Sequence, residues 1–203
     1  MKTILNLAAG KMRPLTDEKK PFLVNVDTMY AGHRLDEEEN LLNIEYMHKL
    51  AEQDIPPNIR EHYIKMDVDE FMERYKYTFD LVTVYRYLEH VPRNEILYFI
   101  YMLSTCVRVG GIVDIIVPDY QVLAGLLIHE DDIIDSPNFE AHDILLTTEL
   151  LNEPNCPHAS IWTPERLVKF FKLEGRFAIE SIIHRFEYDG RDIYLRMLAR
   201  RTK

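Results

Sequence analysis

The chain has 203 residues, the size of a single domain, and balances 24 Lys+Arg against 34 Asp+Glu for a formal net charge of −10. With 47% hydrophobic and 11% aromatic residues it has the composition of a folded protein with a core of its own. The acidic balance argues against a broad nucleic-acid or anionic-membrane surface, which needs clustered Lys and Arg; the one basic run is Arg196–Lys203.

The N-terminal apolar run Ile4–Ala9 is shorter than the core of a secretion signal, and no stretch approaches a membrane span, so the start is expected to be mature structure and the protein cytoplasmic. Two cysteines, Cys106 in an apolar stretch and Cys156 before Pro157, are expected to be free thiols.

In chain order, Ile4–Leu7 is expected to be a buried strand that breaks at Ala8-Ala9-Gly10. Phe22–Asp27 is a second strand ending in an acid. A polar segment with Glu37-Glu38-Glu39, read as a solvated run, leads to a helix over Leu41–Gln53 that Pro56-Pro57 stops. His62–Met66 is a strand followed by Asp67-Val68-Asp69, either acid of which can cap a helix over Glu70–Tyr75. Tyr77–Tyr85 has the β-branched and aromatic content of a central strand. Arg93–Val107 is a helix whose Tyr98–Leu103 stretch is read as core, Val109-Gly110-Gly111 a turn, and Ile112–Val117 a strand.

From Gln121 to Ser160 helical pieces (Val122–His129, His142–Leu151) alternate with acidic and Pro/Asn-rich turns, the pattern of a lid. Thr163 then caps a helix with Pro164 at its first position and Gly175 at its end. Phe177–Phe186 and Asp192–Ala199 form a hairpin around Tyr188-Asp189-Gly190. The sum is a single α/β domain over residues 1–203: a mostly parallel seven-stranded sheet, helices on both faces, a C-terminal antiparallel hairpin, and residues 121–160 as an insertion on the substrate side.

Ligands bind such sheets outside the carboxyl ends of the strands. The residues there are Ala8-Ala9-Gly10, Asp27, Asp67, Tyr85–His90 and Pro118-Asp119-Tyr120. Small residues let backbone approach a ligand, an acid after the second strand can take two ribose hydroxyls, and an acid after the third can accept from an adenine amine. This set suits a nucleoside.

The motifs resemble those of class I S-adenosylmethionine-dependent methyltransferases. Leu5-Asn6-Leu7-Ala8-Ala9-Gly10 and Asn25-Val26-Asp27 correspond to that family's LNLGxG and NVD. Phe79-Asp80-Leu81-Val82 with Leu88-Glu89-His90-Val91-Pro92, and Arg108-Val109-Gly110-Gly111 with Pro118-Asp119, correspond to FDxV…LEHxP and RVxxGG…xPD. His158 through Leu167 is similar to the segment before the family's late helix. The first turn keeps only the second glycine of GxG, and alanine there can still pass close to a ligand if its φ is negative; Asn6 stands for a frequent acid and Arg86 for a common histidine.

The resemblance implies a Rossmann-like fold, S-adenosylmethionine as cofactor and methyl transfer to a small-molecule or saccharide-type acceptor. Ala8, Ala9 and Gly10 would pack along the methionine and ribose, and Asn6 would hydrogen-bond toward the methionine ammonium. Asp27 would bind the ribose hydroxyls, with Thr28 and Met29 beside the adenine. Asp67 would take the adenine amine, with Met66 or Val68 on the ring, and Tyr85 and Arg86 would flank the methionyl group. A base is needed where the nucleophile arrives protonated, and His90, Glu89, Tyr120 and His158 are the candidates.

Each of these residues also has a structural reading. Glu89 and His90 can brace the following helix, Asp67 can cap one, and Asp119 can brace a loop. The His, Cys and acidic residues between His129 and His158 match no metal-binding spacing and read as a solvated acidic lid. Two further functions compete: a catalytically inactive binding protein on the same fold, and a nicotinamide-binding Rossmann protein, against which the lack of G-x-G-x-x-G stands. A protein substrate and a homodimer stay open.

Overall fold

The computed structural model describes residues 2–8, 14–15, 22–27, 61–74, 78–128, 159–188 and 191–203. The expected helices over Leu41–Gln53 and His142–Leu151, Cys156 and the tip of the hairpin lie outside these residues.

Seven strands form one mixed sheet: β1 (Thr3–Leu7), β2 (Phe22–Asp27), β3 (Glu61–Lys65), β4 (Phe79–Tyr85), β5 (Val107–Pro118), β6 (Phe177–Tyr188) and β7 (Arg191–Arg201), in the order β3-β2-β1-β4-β5-β7-β6. The neighbours from β3 to β5 are parallel; β7 runs antiparallel to both β5 and β6. The four described helices are α1 (Val68–Arg74), α2 (Ile96–Cys106), α3 (Tyr120–Ile128) and α4 (Pro164–Glu174), with a 3-10 turn at Leu88–His90.

Alternation along each strand divides the sheet into two faces. Leu5, Leu7, Val24, Val26, Val82, Val84, Val113, Ile115, Leu195 and Met197 pack with α1, α2 and α4 into the larger core. Tyr85, Ile116 and Tyr194 point the other way and meet Tyr120 and Leu123 of α3. Helices therefore cover both faces, as the βα alternation implies.

The second face also carries a buried polar lacing. Asn6 Nδ2 donates to Asn25 Oδ1 at 2.9 Å, and Thr83 Oγ1 donates to Asn6 Oδ1 at 2.8 Å, so β2, β1 and β4 are tied side chain to side chain. Farther along, the Tyr85 hydroxyl donates to Asp114 Oδ2 at 2.6 Å, and Arg196 holds the same carboxylate through Nε at 2.9 Å and Nη2 at 2.8 Å. Each buried polar group here is matched, which is the condition for burying it at all.

At the amino edge, Asp80 is a knot. It accepts from Thr3 N at 2.7 Å and Thr3 Oγ1 at 2.9 Å, and pairs with Arg108 at 2.6 Å. The sequence places a turn at Val109-Gly110-Gly111. The structure absorbs it into β5 as an irregularity, with the β4–β5 register stepping from Phe79↔Val107 to Leu81↔Ile112. Gly110 has φ 83°, and a Cβ on Gly111 would lie 2.7 Å from Val107 Cγ2 and 3.0 Å from the Asp80 carbonyl. Both glycines are thus needed where β5 crosses the Asp80 knot.

Local signals at α4 match the structure. Thr163 accepts from Arg166 N at 3.4 Å, Pro164 opens the helix, and Gly175 closes it at φ 82°. Two expectations are corrected. The Tyr98–Leu103 stretch is only half core: Phe99, Ile100, Met102 and Leu103 are buried, whereas Tyr98 and Tyr101 are exposed, their rings 6.3 Å apart. The basic run at the C-terminus is not a free patch either, because Arg196 holds Asp114, Arg200 pairs with Glu180, and Arg201 donates to the Val107 carbonyl.

Removing the Asp114 carboxylate strands a largely buried guanidinium and the Tyr85 hydroxyl together. Asp114→Ala is expected to lower unfolding free energy by about 2–4 kcal/mol in urea denaturation; a loss below about 1 kcal/mol would show the lacing to be dispensable.

Candidate active site

The sheet order reverses its winding at β1, which lies between β2 and β4. The crevice between the outgoing chains at such a switch point is the natural ligand site. Its walls are the turn after β1, the end of β2, and the turn after β4.

The turn after β1 does not meet the condition of a negative φ. Ala8 sits at φ 51°, in the left-handed region, rather than at negative φ. Arg86, the turn residue after β4, is also left-handed at φ 54°, and its N–H donates to the Ile116 carbonyl at 2.7 Å. Non-glycine residues in this conformation carry roughly 1–3 kcal/mol of strain and tend to cluster where a site needs the backbone turned. Beside the first turn, Asp27 ends β2, one residue beyond the Leu7↔Val26 pair. Ala9, Gly10, Thr28, Met29 and His158 lie outside the described residues.

Several expected ligand contacts are engaged elsewhere. Asn6 is fully buried and carries the lacing between Asn25 and Thr83. Tyr85 is 1% exposed, its hydroxyl on Asp114 and accepting from Leu15 N at 3.2 Å; burial is the main cause that raises its pKa, followed by the Asp114 charge. Asn6, one residue before the end of β1, and Tyr85, the last residue of β4, both stand on the second face, where neighbouring strands take up their polar atoms. Val68 is 2% exposed and belongs to the main core, which removes it from the adenine position. Met66, only partly buried at the end of β3, keeps that place open.

Asp67 resolves the capping alternative. Its Oδ1 accepts from Asp69 N at 2.9 Å and Glu70 N at 3.4 Å, so Asp67 caps α1 while its side chain stays exposed. Arg86 is half-buried, its guanidinium 5.9 Å from the Tyr194 ring centroid.

Among the expected bases, Glu89 is the most perturbed. It is 1% exposed in the 3-10 turn after β4, and Oε2 has no hydrogen-bond partner among the described residues. Burial pushes its carboxyl up to about 8, against the opposing pull of its own backbone and of Arg86. Burial therefore favours the neutral carboxyl, which can donate a hydrogen bond. His90 is half-buried at the end of the same turn, its N–H on the Tyr87 carbonyl at 2.9 Å. Tyr120 is a buried ring of the second cluster.

The returning chain closes this edge. Ser160 N donates to the Glu89 carbonyl at 3.0 Å, Ser160 Oγ to the Leu88 carbonyl at 3.1 Å, and Tyr120 N to the Trp162 carbonyl at 3.1 Å. Both described ends of the 121–160 segment therefore meet at the carboxyl edge. The Trp162 indole N–H, like Glu89 Oε2, is buried with no hydrogen-bond partner among the described residues.

One pair was not anticipated. Asp119, fully buried after β5, caps α3 by accepting from Gln121 N at 3.1 Å and Val122 N at 3.4 Å, and its Oδ2 lies 3.1 Å from His184 Nδ1. The signal for His184 was a histidine inside the apolar strand run of β6.

Among the described residues no cluster of His, Cys, Asp and Glu is arranged to hold a metal ion, and no helix is long and apolar enough to cross a membrane. Comparison of the sequence with protein-family models and with curated proteins gives no match. Comparison of the fold gives many. The 1,6-didemethyltoxoflavin-N1-methyltransferase of Burkholderia thailandensis, solved with 1,6-didemethyltoxoflavin and S-adenosylhomocysteine, aligns over 100% of this chain and 72% of its own, with TM-score 0.58 and 15% identity. An S-adenosylmethionine-dependent methyltransferase from Mesorhizobium loti aligns over 98% and 91%, with TM-score 0.53 and 14% identity. The magnesium protoporphyrin IX methyltransferase of Synechocystis, solved with S-adenosylhomocysteine, aligns over 98% and 74%, with TM-score 0.52 and 11% identity. At these identities the likeness is one of fold: the chain has a methyltransferase-like α/β fold with a mixed sheet and an antiparallel hairpin.

Two outcomes follow from this geometry. Ala8→Gly is expected to raise stability by about 0.5–1 kcal/mol, left-handed strain outweighing the entropy of glycine; a loss of stability in urea denaturation would contradict the strained turn. For Glu89, the unfolded carboxyl titrates near 4.5 and the folded one near 8. Between those values the unfolded chain has released a proton that the folded chain keeps, so folding stability falls as pH rises. The stability of Glu89→Gln relative to the parent is therefore expected to improve by roughly 2–4 kcal/mol from pH 5 to pH 8, and a constant difference across that range would refute a buried neutral acid.

Proposed function

We propose that the chain is an S-adenosylmethionine-dependent methyltransferase acting on a small-molecule acceptor, and that the cofactor lies across the crevice between β1 and β4. The observation that carries this reading is the strand order, which sets the strained Ala8 turn, the terminal Asp27 of β2 and the strained Arg86 turn around one crevice. The structural neighbours with bound S-adenosylhomocysteine share the fold.

The donor set suits the group. Asp27 supplies a carboxylate for the ribose diol, exposed Asp67 an acceptor for the adenine amine, and partly exposed Met66 a soft surface for the ring. Ala8, Ala9 and Gly10 offer backbone along the methionine and ribose, Thr28 and Met29 flank the adenine, and Arg86 brings a cation for the methionyl carboxylate. When bound, the cofactor supplies an electrophilic methyl on a sulfonium that is already a good leaving group. The work left to this chain is orientation and exclusion of water. His90 and His158 remain in the reading as candidate proton acceptors, and Glu89 as a buried carboxyl whose neutral form is favoured. A cytoplasmic enzyme belongs to the same reading. Saccharides are the first acceptors to screen, on the strength of the sequence resemblance.

Calorimetric titration with S-adenosylmethionine and S-adenosylhomocysteine tests this directly. Both are expected to bind the parent chain, and Asp27→Ala is expected to weaken both at least about tenfold, equivalent to about 1.4 kcal/mol. Failure of the parent to bind either, or equal binding by the variant, would overturn the assignment.

A further inference from the structure

We propose that His184, held by Asp119, takes the proton from the methyl acceptor, so that the acceptor presents a neutral O–H or N–H group. This rests on the methyl-transfer reading above and adds to it a base and a substrate class.

The first support is position. Asp119 directly follows β5, and His184 lies near the carboxyl end of β6, which runs in the same direction as β5 with β7 between them. Leu195 of β7 pairs with Val117 near the end of β5 on one side and stands opposite His184 on the other. The pair thus sits on the carboxyl edge of the sheet, with Asp119 at the end of β5, the strand beside β4, and His184 on β6 two strands farther out.

The second support is a bulge. Ile183 pairs with Arg196 and Phe186 with Tyr194, which leaves His184 and Arg185 together opposite Leu195. Arg185 is left-handed at φ 46°. In an unbroken strand Ile182, His184 and Phe186 would share one face. Here Ile182 packs on the main core while Phe186 packs against the second cluster, so the parity changes across the bulge. Bulges re-aim side chains, and this one brings the imidazole to Asp119. With Ala8 and Arg86, Arg185 completes the set of left-handed non-glycine residues among those described, and all three lie toward the carboxyl ends of their strands.

The third support is chemistry. Asp119 is 0% exposed, and its Oδ1 already accepts from two backbone N–H groups. Oδ2 accepts from His184 Nδ1–H at 3.1 Å, which fixes the tautomer and leaves the lone pair on Nε2. The His184 side chain is 46% exposed, and no described residue engages Nε2. A mere brace between β6 and α3 is served by any donor; a strained backbone that presents imidazole against a buried carboxylate builds an oriented base.

In the step, the acceptor's lone pair forms the bond to the methyl carbon as the carbon–sulfur bond breaks, its electron pair remaining on sulfur to give the neutral thioether. The acceptor's proton passes to His184 Nε2, and the imidazolium, stabilised by the Asp119 carboxylate, later releases it to water. Asp119 is a positioning residue.

The test uses ring 15N NMR of the full-length labelled chain, with His184 assigned through His184→Gln. A base serving the acceptor stands about 6–7 Å from the sulfur, so the sulfonium charge must be felt. Neutral His184 is expected to carry its proton on Nδ1, and its titration midpoint to fall by at least about half a pH unit when S-adenosylmethionine replaces S-adenosylhomocysteine. Asp119→Asn is expected to release the tautomer, while His184→Gln, which leaves the α3 cap in place, retains S-adenosylhomocysteine affinity within about twofold. The proposal fails if both ligands bind yet the midpoint is the same with each, or if neutral His184 is protonated on Nε2. If neither ligand binds the parent chain, the methyl-transfer reading falls, and this proposal with it.

Discussion

The position of β1 between β2 and β4, in one register, is the constraint on which the rest depends. Parallel pairing alone would tolerate a slip, but a one-residue shift would turn Asn6 into the apolar core and Leu5 and Leu7 away from it. The hydrogen bonds of Asn6 to Asn25 and Thr83 exist only in the observed register. Burying three polar side chains without those partners would cost about 1–3 kcal/mol each. Apolar pairing and polar lacing thus select the same alignment, and that alignment sets the Ala8 turn beside Asp27.

The two edges of the sheet do different work. At the amino edge, Asp80 ties β1 to β5, and Gly110 and Gly111 let β5 pass it closely. Every interaction there is satisfied and the backbone uses glycine where φ is positive. At the carboxyl edge the opposite holds. Ala8, Arg86 and Arg185 occupy left-handed conformations without being glycine, burial raises the Glu89 carboxyl, and Glu89 Oε2 and the Trp162 indole N–H are buried with no hydrogen-bond partner among the described residues. Strain and unsatisfied polarity are concentrated where the strands end, the side on which an α/β sheet holds its ligands.

The motifs that stand out in the sequence divide along the same line. Phe79-Asp80 and Arg108–Gly111 belong to the amino-edge knot and hold the sheet together. Leu88-Glu89-His90 forms the 3-10 turn against which Ser160 returns. Tyr85 is conspicuous in the sequence at a strand end, yet its hydroxyl turns inward to Asp114. Sequence position identifies a strand end but not the face on which a side chain emerges, and that face decides between ligand and lattice. The same applies to His184: its place in an apolar run is visible, but its partner Asp119 is 65 residues away in the chain and is reached only through the bulge.

By itself the sequence determined the order of the described strands and helices, the cap and stop of α4, the pairing of β6 with β7, and the set of acids and small residues at strand ends. Those properties are local: periodicity, turn chemistry and capping act over a few residues. Tertiary structure alone decided that Asn6, Val68 and Tyr85 are interior groups, that Ala8 is left-handed, that burial favours the neutral carboxyl of Glu89, and that His184 meets Asp119. Each of these depends on desolvation or on a partner supplied by another strand, and neither exists until the sheet has closed.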